Sequence, residues 1–174
     1  AYPIFLTSIA ETGRRVVPVP FSTGPFGASS DDLARTWRDE AVRLVVVVNP
    51  HNPLGRMLGA DELRPIADAA AALDLTVLAD EIHADLAFDG RRHVPFASLG
   101  PEVEARTVTV TSASKAFNLA GLHCAVAHLG DERVRSALAA LPFAHLGGVG
   151  TLSRAASVAA WTEGDDWLDE LVTT

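Results

Sequence analysis

TVTVTSASKAFNLAG, residues Thr107 to Gly121, is the stretch that decides the fold and points to the chemistry. Its first five residues alternate threonine with valine, and this β-branched pattern predicts a strand. The chain then turns through small residues to Lys115, the only lysine in the sequence. Open α/β sheets bind ligands outside the carboxyl ends of their strands, and a partly desolvated lysine there can lose its proton and form a Schiff base. The structural alternative is a lysine that only caps a loop, and this stretch alone favours neither.

Two other apolar stretches also end in polar clusters. Leu44–Asn49 (LVVVVN) runs into NPHNPLGR at residues 49–56, and Thr76–Asp80 (TVLAD) runs into DEIHADL at residues 80–86. The unbroken valine run is typical of a parallel strand that is buried on both faces. Because the carboxyl ends of parallel strands meet at one edge of a sheet, we expect the three polar clusters to lie together on one rim.

The rest of the pattern alternates strands with helices, which predicts an α/β fold with a mainly parallel sheet. Ser30 or Asp31 is predicted to cap the second helix, and Asp61 the third. The predicted helices are Leu6–Thr12, Asp32–Trp37, Glu62–Leu73, one that ends at Leu141, Ser153–Thr162 and one that begins near Asp165; the predicted strands are Arg15–Pro20, Arg43–Asn49, Leu75–Asp80, Thr107–Ser112 and Cys124–Leu129; Phe21–Ser30 and Arg91–Pro101 are predicted loops.

Composition limits the classes of function. A chain of 174 residues with 48% apolar residues fits one ordinary domain with a core. A formal net charge of −8 argues against nucleic acid and against an anionic membrane surface as partners. The single cysteine, Cys124, excludes an internal disulfide and suits a reducing cytosol. No apolar run reaches membrane-spanning length, so we expect a cytoplasmic protein, and we predict no metal site.

Taken together, NPHNPLGR, DEIHADL and SASKAFNLAGL, in this order and each after a strand, resemble the signatures of fold-type I enzymes that use pyridoxal phosphate (PLP). They are most similar to the MalY/PatB group of cystathionine β-lyases, also called C–S lyases. The resemblance implies a three-layer sandwich in which Cys124–Leu129 is an antiparallel strand. It also implies that residues 1–174 are part of a PLP-binding large domain, that residues from about 152 to 174 begin the passage to a small domain, and that the small domain lies outside this sequence.

The resemblance assigns roles to the polar residues on the predicted rim. Lys115 would bond the cofactor aldehyde and then remove the Cα proton of the substrate. Asp80 would pair with the pyridine nitrogen of the cofactor. Asn52 and His83 would bind its ring hydroxyl oxygen, whereas Asn49 is interpreted as structural because it turns the chain before a proline. The alternatives are a strand-end cap for Asp80, a plain turn for Asn52 and a solvent-facing histidine for His83.

Four further residues follow from the same resemblance. Ser112 and Ser114 would bind the cofactor phosphate. Tyr2 would stack on the cofactor ring, with an unstacked terminal residue as the alternative. His123 occupies the position at which aminotransferases usually carry a phosphate-binding arginine. Two roles stay open for His123, a phosphate contact or packing beside Cys124, which we interpret as a small core residue.

The resulting hypothesis is a PLP-dependent C–S β-lyase that cleaves cystathionine-like amino acids to a thiol, pyruvate and ammonia. The resemblance implies a homodimer, since two protomers build each site in the family. The first alternative is a class I/II aminotransferase with the same cofactor site, although His83 and the missing arginine favour the lyase. A second alternative is a non-catalytic regulatory or binding protein on the same fold, and a third is that these residues bind no cofactor without their flanking chain.

Overall fold

A four-stranded sheet organises the residues that the computed structural model describes, which are 2–20 and 27–173. The strands are β1 (Leu44–Val48), β2 (Thr76–Asp80), β3 (Thr107–Thr111) and β4 (Val126–Leu129), and they lie side by side in that order. β1, β2 and β3 run parallel, and β4 is antiparallel to β3. The predicted α/β class and mainly parallel sheet are confirmed, as is the antiparallel direction of the last strand.

Helices precede and follow the strands. In chain order they are α1 (Pro3–Glu11), α2 (Ser30–Asp39), α3 (Ala60–Ala72), α4 (Pro101–Glu104), α5 (Glu132–Ala139), α6 (Phe143–Leu146), α7 (Thr151–Glu163) and α8 (Asp165–Thr173), with short 3-10 helices at Phe96–Leu99 and Ala120–Leu122. Part of the predicted loop Phe21–Ser30, residues 21–26, lies outside the described residues.

The starts of α2 and α3 differ from the prediction. Ser29, and not Ser30 or Asp31, caps α2, because its hydroxyl accepts the amide hydrogen of Asp32 at 3.1 Å. α3 begins after Gly59, whose N–H is bound by the carboxylate of Glu62 at 3.2 Å, so Asp61 is not its cap. In both helices a side chain satisfies an amide that the first turn leaves unpaired.

Other expectations for the connecting segments are wrong. Residues 14–20 belong to no strand, although Arg15–Pro20 was predicted as one; its two prolines carry no amide hydrogen for a sheet ladder. The predicted helix from Leu6 begins earlier, at Pro3, where proline suits the first turn. The predicted loop Arg91–Pro101 contains the 3-10 helix Phe96–Leu99, and α4 begins at its last residue.

The core lies between one face of the sheet and helices α2 and α3. The buried strand residues Val45, Val47, Val77 and Ala79 pack there against a cluster from the two helices, comprising Leu33, Ala34, Trp37, Leu63, Ile66, Ala67, Ala69 and Ala70. On the opposite face, Val46 and Leu78 are half-buried, so the valine run is less covered on that side than expected.

A buried carboxylate fastens the edge where the parallel strands begin. Asp131, 1% exposed, accepts a hydrogen bond from the hydroxyl of Thr76 at 2.7 Å and from the guanidinium of Arg133 at 2.9 Å. The hydrogen bond from Arg133 is the main cause that holds the pKa of Asp131 well below its usual range. This contact joins β2 to the segment after β4 at the end of the sheet opposite the carboxyl ends of the parallel strands.

Candidate functional site

The carboxyl ends of β1, β2 and β3 meet at one rim. Val48 is in register with Asp80, and Asp80 with Val110. The ladder continues one residue further, since the amide of Asn49 donates to the carbonyl of Asp80 at 3.0 Å and the amide of Glu81 to that of Val110 at 2.9 Å. The three polar clusters therefore start side by side, as the parallel order predicts.

Asp80 ends β2 as a half-buried carboxylate. One of its oxygens accepts the amide hydrogen of Ile82 at 3.2 Å. Burial is the largest influence on its pKa and raises it; the charge of Glu81 also raises it, while the Ile82 bond, His83 and Lys115 lower it. Asp80 is thus a carboxylate that has lost part of its hydration, and such a group is stabilised by a cationic partner.

His83 and Lys115 lie within electrostatic reach of Asp80 and of each other. Burial lowers the pKa of His83, the charge of Lys115 lowers it further, and Asp80 opposes both. The imidazole is therefore neutral at pH 7 and offers one N–H donor and one acceptor. Lys115 itself is exposed, because it extends from the turn beyond the end of β3, so the described residues do not provide the partial desolvation expected from the sequence.

The two asparagines of NPHNP occupy different environments. Asn49 is 2% exposed; its side-chain oxygen accepts the amide of Leu58 at 2.7 Å, and its side-chain nitrogen donates to the carbonyl of Leu58 at 3.2 Å. These bonds tie together the two ends of the 50–57 turn and give Asn49 a structural role. Asn52 is half-buried on that turn and lines, together with His83, a cavity of about 350 Å³.

The turn that carries Lys115 is held from two sides. The hydroxyl of Ser112, which is buried, donates to the carbonyl of Cys124 at 2.6 Å and accepts the amide hydrogen of Ser114 at 3.1 Å. The indole N–H of Trp167 in α8 donates to the carbonyl of Ala116 at 3.0 Å. Ser112 therefore shapes the turn, and its phosphate contact, like that of Ser114, stays a prediction.

Tyr2 and His123 lie at the margins of the predicted set. Tyr2 precedes α1 and is 44% exposed, so its stacking on a cofactor ring stays a prediction. His123 is exposed and adopts a left-handed backbone with φ of 49°, which does not fit packing in a core beside Cys124. A phosphate contact by His123 stays open.

Sequence reasoning missed Glu81, a buried carboxylate between Asp80 and His83. It is 5% exposed and accepts the amide hydrogen of Phe96 at 2.7 Å. The only signal in the sequence is a second acidic residue directly after Asp80. Nothing local indicates that this residue is buried, because its partner lies 15 residues further along the chain.

Membrane-spanning helices and metal-ligand clusters are both absent from the part of the chain that the structure describes. No helix within residues 2–20 and 27–173 is long and apolar enough to cross a membrane. Within the same ranges, no three histidine, cysteine, aspartate or glutamate residues are grouped so that they could hold a metal ion.

Comparisons with known proteins place this site in context. The profile of the family described as aminotransferase class I and II matches residues 1–173. The chain is 34% identical to cystathionine beta-lyase PatB of Bacillus subtilis (strain 168), over 99% of this chain and 45% of that protein. Among solved structures, a PLP-bound C-S lyase from Staphylococcus hominis superposes with a TM-score of 0.88 at 28% identity, over 99% of this chain and 44% of that one.

A structure described as a PLP-bound putative aminotransferase from Clostridium difficile 630 is equally similar in fold. Its TM-score is 0.89 at 28% identity, over 99% of this chain and 45% of that one. The chain thus spans less than half the length of the relatives that it matches, and the similarity extends across all of its elements.

Proposed function

Because this chain belongs to the aminotransferase class I and II family, we propose that it is the PLP-binding part of a C–S β-lyase. The proposed substrates are cystathionine-like amino acids, and the products are a thiol, pyruvate and ammonia. Residues 1–174 form part of the large domain in this proposal, and residues from about 152 lead toward a small domain. The proposal includes a homodimer that works in the cytoplasm.

One observation carries the proposal. Asp80, His83 and Lys115 come from the ends of two neighbouring parallel strands and lie within electrostatic reach of one another. A carboxylate, an imidazole and an amine that meet at the carboxyl ends of parallel strands stand where open α/β sheets bind ligands. The 34% identity to a cystathionine beta-lyase over nearly the whole chain supports the same conclusion.

The side chains at this rim can supply the contacts that PLP needs. The pKa of Asp80 is raised mainly by burial, and a protonated pyridine nitrogen is the kind of cationic partner that this carboxylate needs. His83 and Asn52 line one cavity and can both hydrogen-bond a ring oxygen. Lys115 is the amine that would bond the aldehyde, and Ser112, Ser114 and Tyr2 are the further proposed contacts, at the phosphate and the ring face.

These side chains have distinct tasks in the reaction. When bound, PLP supplies an electron sink that stabilises negative charge at the substrate Cα. The carboxylate of Asp80 would keep a proton on the ring nitrogen. The Lys115 amine would take the proton from the substrate Cα as a general base. The N–H of His83 and the side chain of Asn52 would hydrogen-bond the ring oxygen and so orient the ring for Lys115.

An aminotransferase is the second candidate. The matched family and the structure from Clostridium difficile favour it. It would use the same donor set, with Lys115 returning the proton to the cofactor carbon instead of assisting loss of a thiolate. His83, and His123 in place of the usual arginine, favour the lyase over the aminotransferase.

The test is an absorbance spectrum of the full-length protein with PLP, before and after addition of cystathionine, with pyruvate assayed in parallel. The lyase predicts a band of lysine-bound cofactor that is absent in Lys115→Ala, together with pyruvate release. Conversion to the pyridoxamine form without pyruvate would establish the aminotransferase. No cofactor band under any condition would refute both. A wild-type protein that binds PLP but releases no pyruvate and forms no pyridoxamine would favour a non-catalytic role.

A further inference from the structure

Glu81 is a buried carboxylate to which the proposed chemistry gives no task. It lies between Asp80 and His83 in the chain, and its side chain is 7% exposed. One carboxylate oxygen accepts the amide hydrogen of Phe96 at 2.7 Å. The other lies 3.2 Å from Nε2 of His93, whose side chain is 10% exposed, without the alignment of a hydrogen bond. Removing a charged carboxylate from water costs free energy, so a buried one needs a structural or functional explanation.

The backbone of Glu81 is equally engaged. Its amide donates to the carbonyl of Val110 at 2.9 Å, and its carbonyl accepts the hydroxyl of Thr111 at 3.2 Å, so it is tied to the end of β3. The same carbonyl accepts the amide of Ala84 at 2.9 Å, which closes the turn containing His83. Glu81 therefore connects three parts: the strand before Lys115, the turn of His83, and the 93–99 segment.

We propose that Glu81 is the positioning residue of the candidate site. By accepting the amide of Phe96, its carboxylate fixes the 81–86 turn against the 93–99 segment and so sets Asp80 and His83 relative to Lys115. The donor is a backbone amide, which side-chain rotation does not move. This amide is also held in place, because Phe96 is 1% exposed and packed in the core. The consequence for cofactor binding rests on the proposed function, whereas the ordering of the turn does not.

Asp131 offers a matched control. It is also a buried carboxylate that accepts backbone and side-chain hydrogen bonds, and it contacts β2 through Thr76 at the opposite end of the strand. A merely structural role for Glu81 predicts that both residues act alike, through loss of stability alone. A positioning role predicts that only Glu81 affects the rim.

The experiment compares Glu81→Met, Glu81→Gln and Asp131→Asn with the wild-type full-length protein. Methionine has a similar length without an acceptor for Phe96, and glutamine keeps the acceptor. Amide hydrogen exchange of residues 84 and 86 is measured without cofactor, PLP affinity by equilibrium dialysis, and kcat and KM for cystathionine separately. We expect Glu81→Met to speed exchange at both amides. We also expect it to weaken PLP binding about tenfold, the size of effect that loss of an orienting partner has at metal sites.

Glu81→Gln is expected to leave the exchange at residues 84 and 86 and the PLP affinity close to wild type. Asp131→Asn is expected to lower the melting temperature while leaving exchange at residues 84 and 86 and PLP affinity unchanged. If Glu81→Met does not fold, Glu81→Asp, which withdraws the carboxylate by one methylene, is expected to give the same changes at smaller size.

Three results would overturn the inference. Unchanged exchange in Glu81→Met would mean that the contact with Phe96 does not order the turn. Equal effects of Glu81→Met and Asp131→Asn would mean that Glu81 contributes to stability alone. Effects of Glu81→Gln as large as those of Glu81→Met would show that the charge of Glu81, and not its anchoring of the turn, matters. A wild-type protein that binds no PLP would refute the proposed function instead, while the exchange measurement would still decide the anchoring.

Discussion

Replacing Asn49 by alanine should destabilise the protein far more than replacing Asn52, only three residues away. Asn49→Ala removes both partners of the Leu58 peptide groups, an N–H bound at 2.7 Å and a C=O bound at 3.2 Å. Leu58 is 1% exposed, so water cannot replace them. An unsatisfied buried backbone group costs about 1–3 kcal/mol, so two of them should lower the free energy of unfolding by about 3 kcal/mol. Urea unfolding followed by circular dichroism measures this loss.

Asn52→Ala is the matched comparison. Its side chain is only half-buried, and its proposed task is to bind the cofactor ring oxygen. We expect its free energy of unfolding to stay within about 0.5 kcal/mol of wild type, while PLP affinity falls. A loss below 1 kcal/mol in Asn49→Ala, or equal losses in the two variants, would refute the argument that one asparagine builds the turn and the other serves the ligand.

Three further predictions concern charge and close packing. The pKa of Asp131 is lower in the folded protein than its unfolded value of 3.8, so the charged carboxylate stabilises the fold above pH 3.8. This contribution is lost as the pH falls through the folded pKa. Unfolding free energies measured between pH 7 and pH 3 should therefore fall less steeply in Asp131→Asn than in wild type. Asp80 has a raised pKa, so its charged form opposes folding at higher pH. Asp80→Asn should raise the melting temperature of the cofactor-free protein at pH 7, with the difference vanishing well below pH 3.8, the ordinary value for this group, while PLP binding weakens. Gly130→Ala would place a Cβ 2.0 Å from the carbonyl oxygen of Glu104, and the resulting backbone shift should cost about 3 kcal/mol in urea unfolding.

For each of these three predictions, one result would contradict the reasoning. An unchanged acid profile in Asp131→Asn would mean that the contacts of Asp131 with Thr76 and Arg133 do not persist in solution. A lower melting temperature for cofactor-free Asp80→Asn would show that the carboxylate contributes to the fold and is not a poorly hydrated functional group. A Gly130→Ala variant as stable as wild type would contradict the close approach of the two segments.

The parallel strands could be predicted because their signals are local. Threonine and valine alternate along Thr107–Thr111, valines run through Leu44–Val48, and each of these strands ends within one residue of the predicted position. Helix starts were less accurate because they depend on which side chain reaches back to a free amide, as Glu62 does for Gly59. The predicted strand Arg15–Pro20 failed because two of its six residues are prolines, which carry no amide hydrogen for a sheet ladder.

The site was predictable to the extent that topology determines it. Once the strands are parallel, their carboxyl ends lie at one rim, so the segments that carry Asp80, His83 and Lys115 start side by side. Glu81 could not be assigned because its burial depends on Phe96 folding back over 15 residues of irregular chain. The exposure of Lys115 was likewise not foreseen, since the length of its turn beyond β3 is set by the contacts of Ser112 and Trp167.

The most direct test of the central claim is to treat the PLP-loaded full-length protein with borohydride and to map the labelled peptide by mass spectrometry. Reduction makes a lysine-bound cofactor permanent, and Lys115 is the only lysine in these 174 residues. We expect one cofactor label per chain on the peptide that contains Lys115, and none on this peptide in Lys115→Ala. Cofactor bound without any label on this peptide, or a label on another part of the chain, would contradict it.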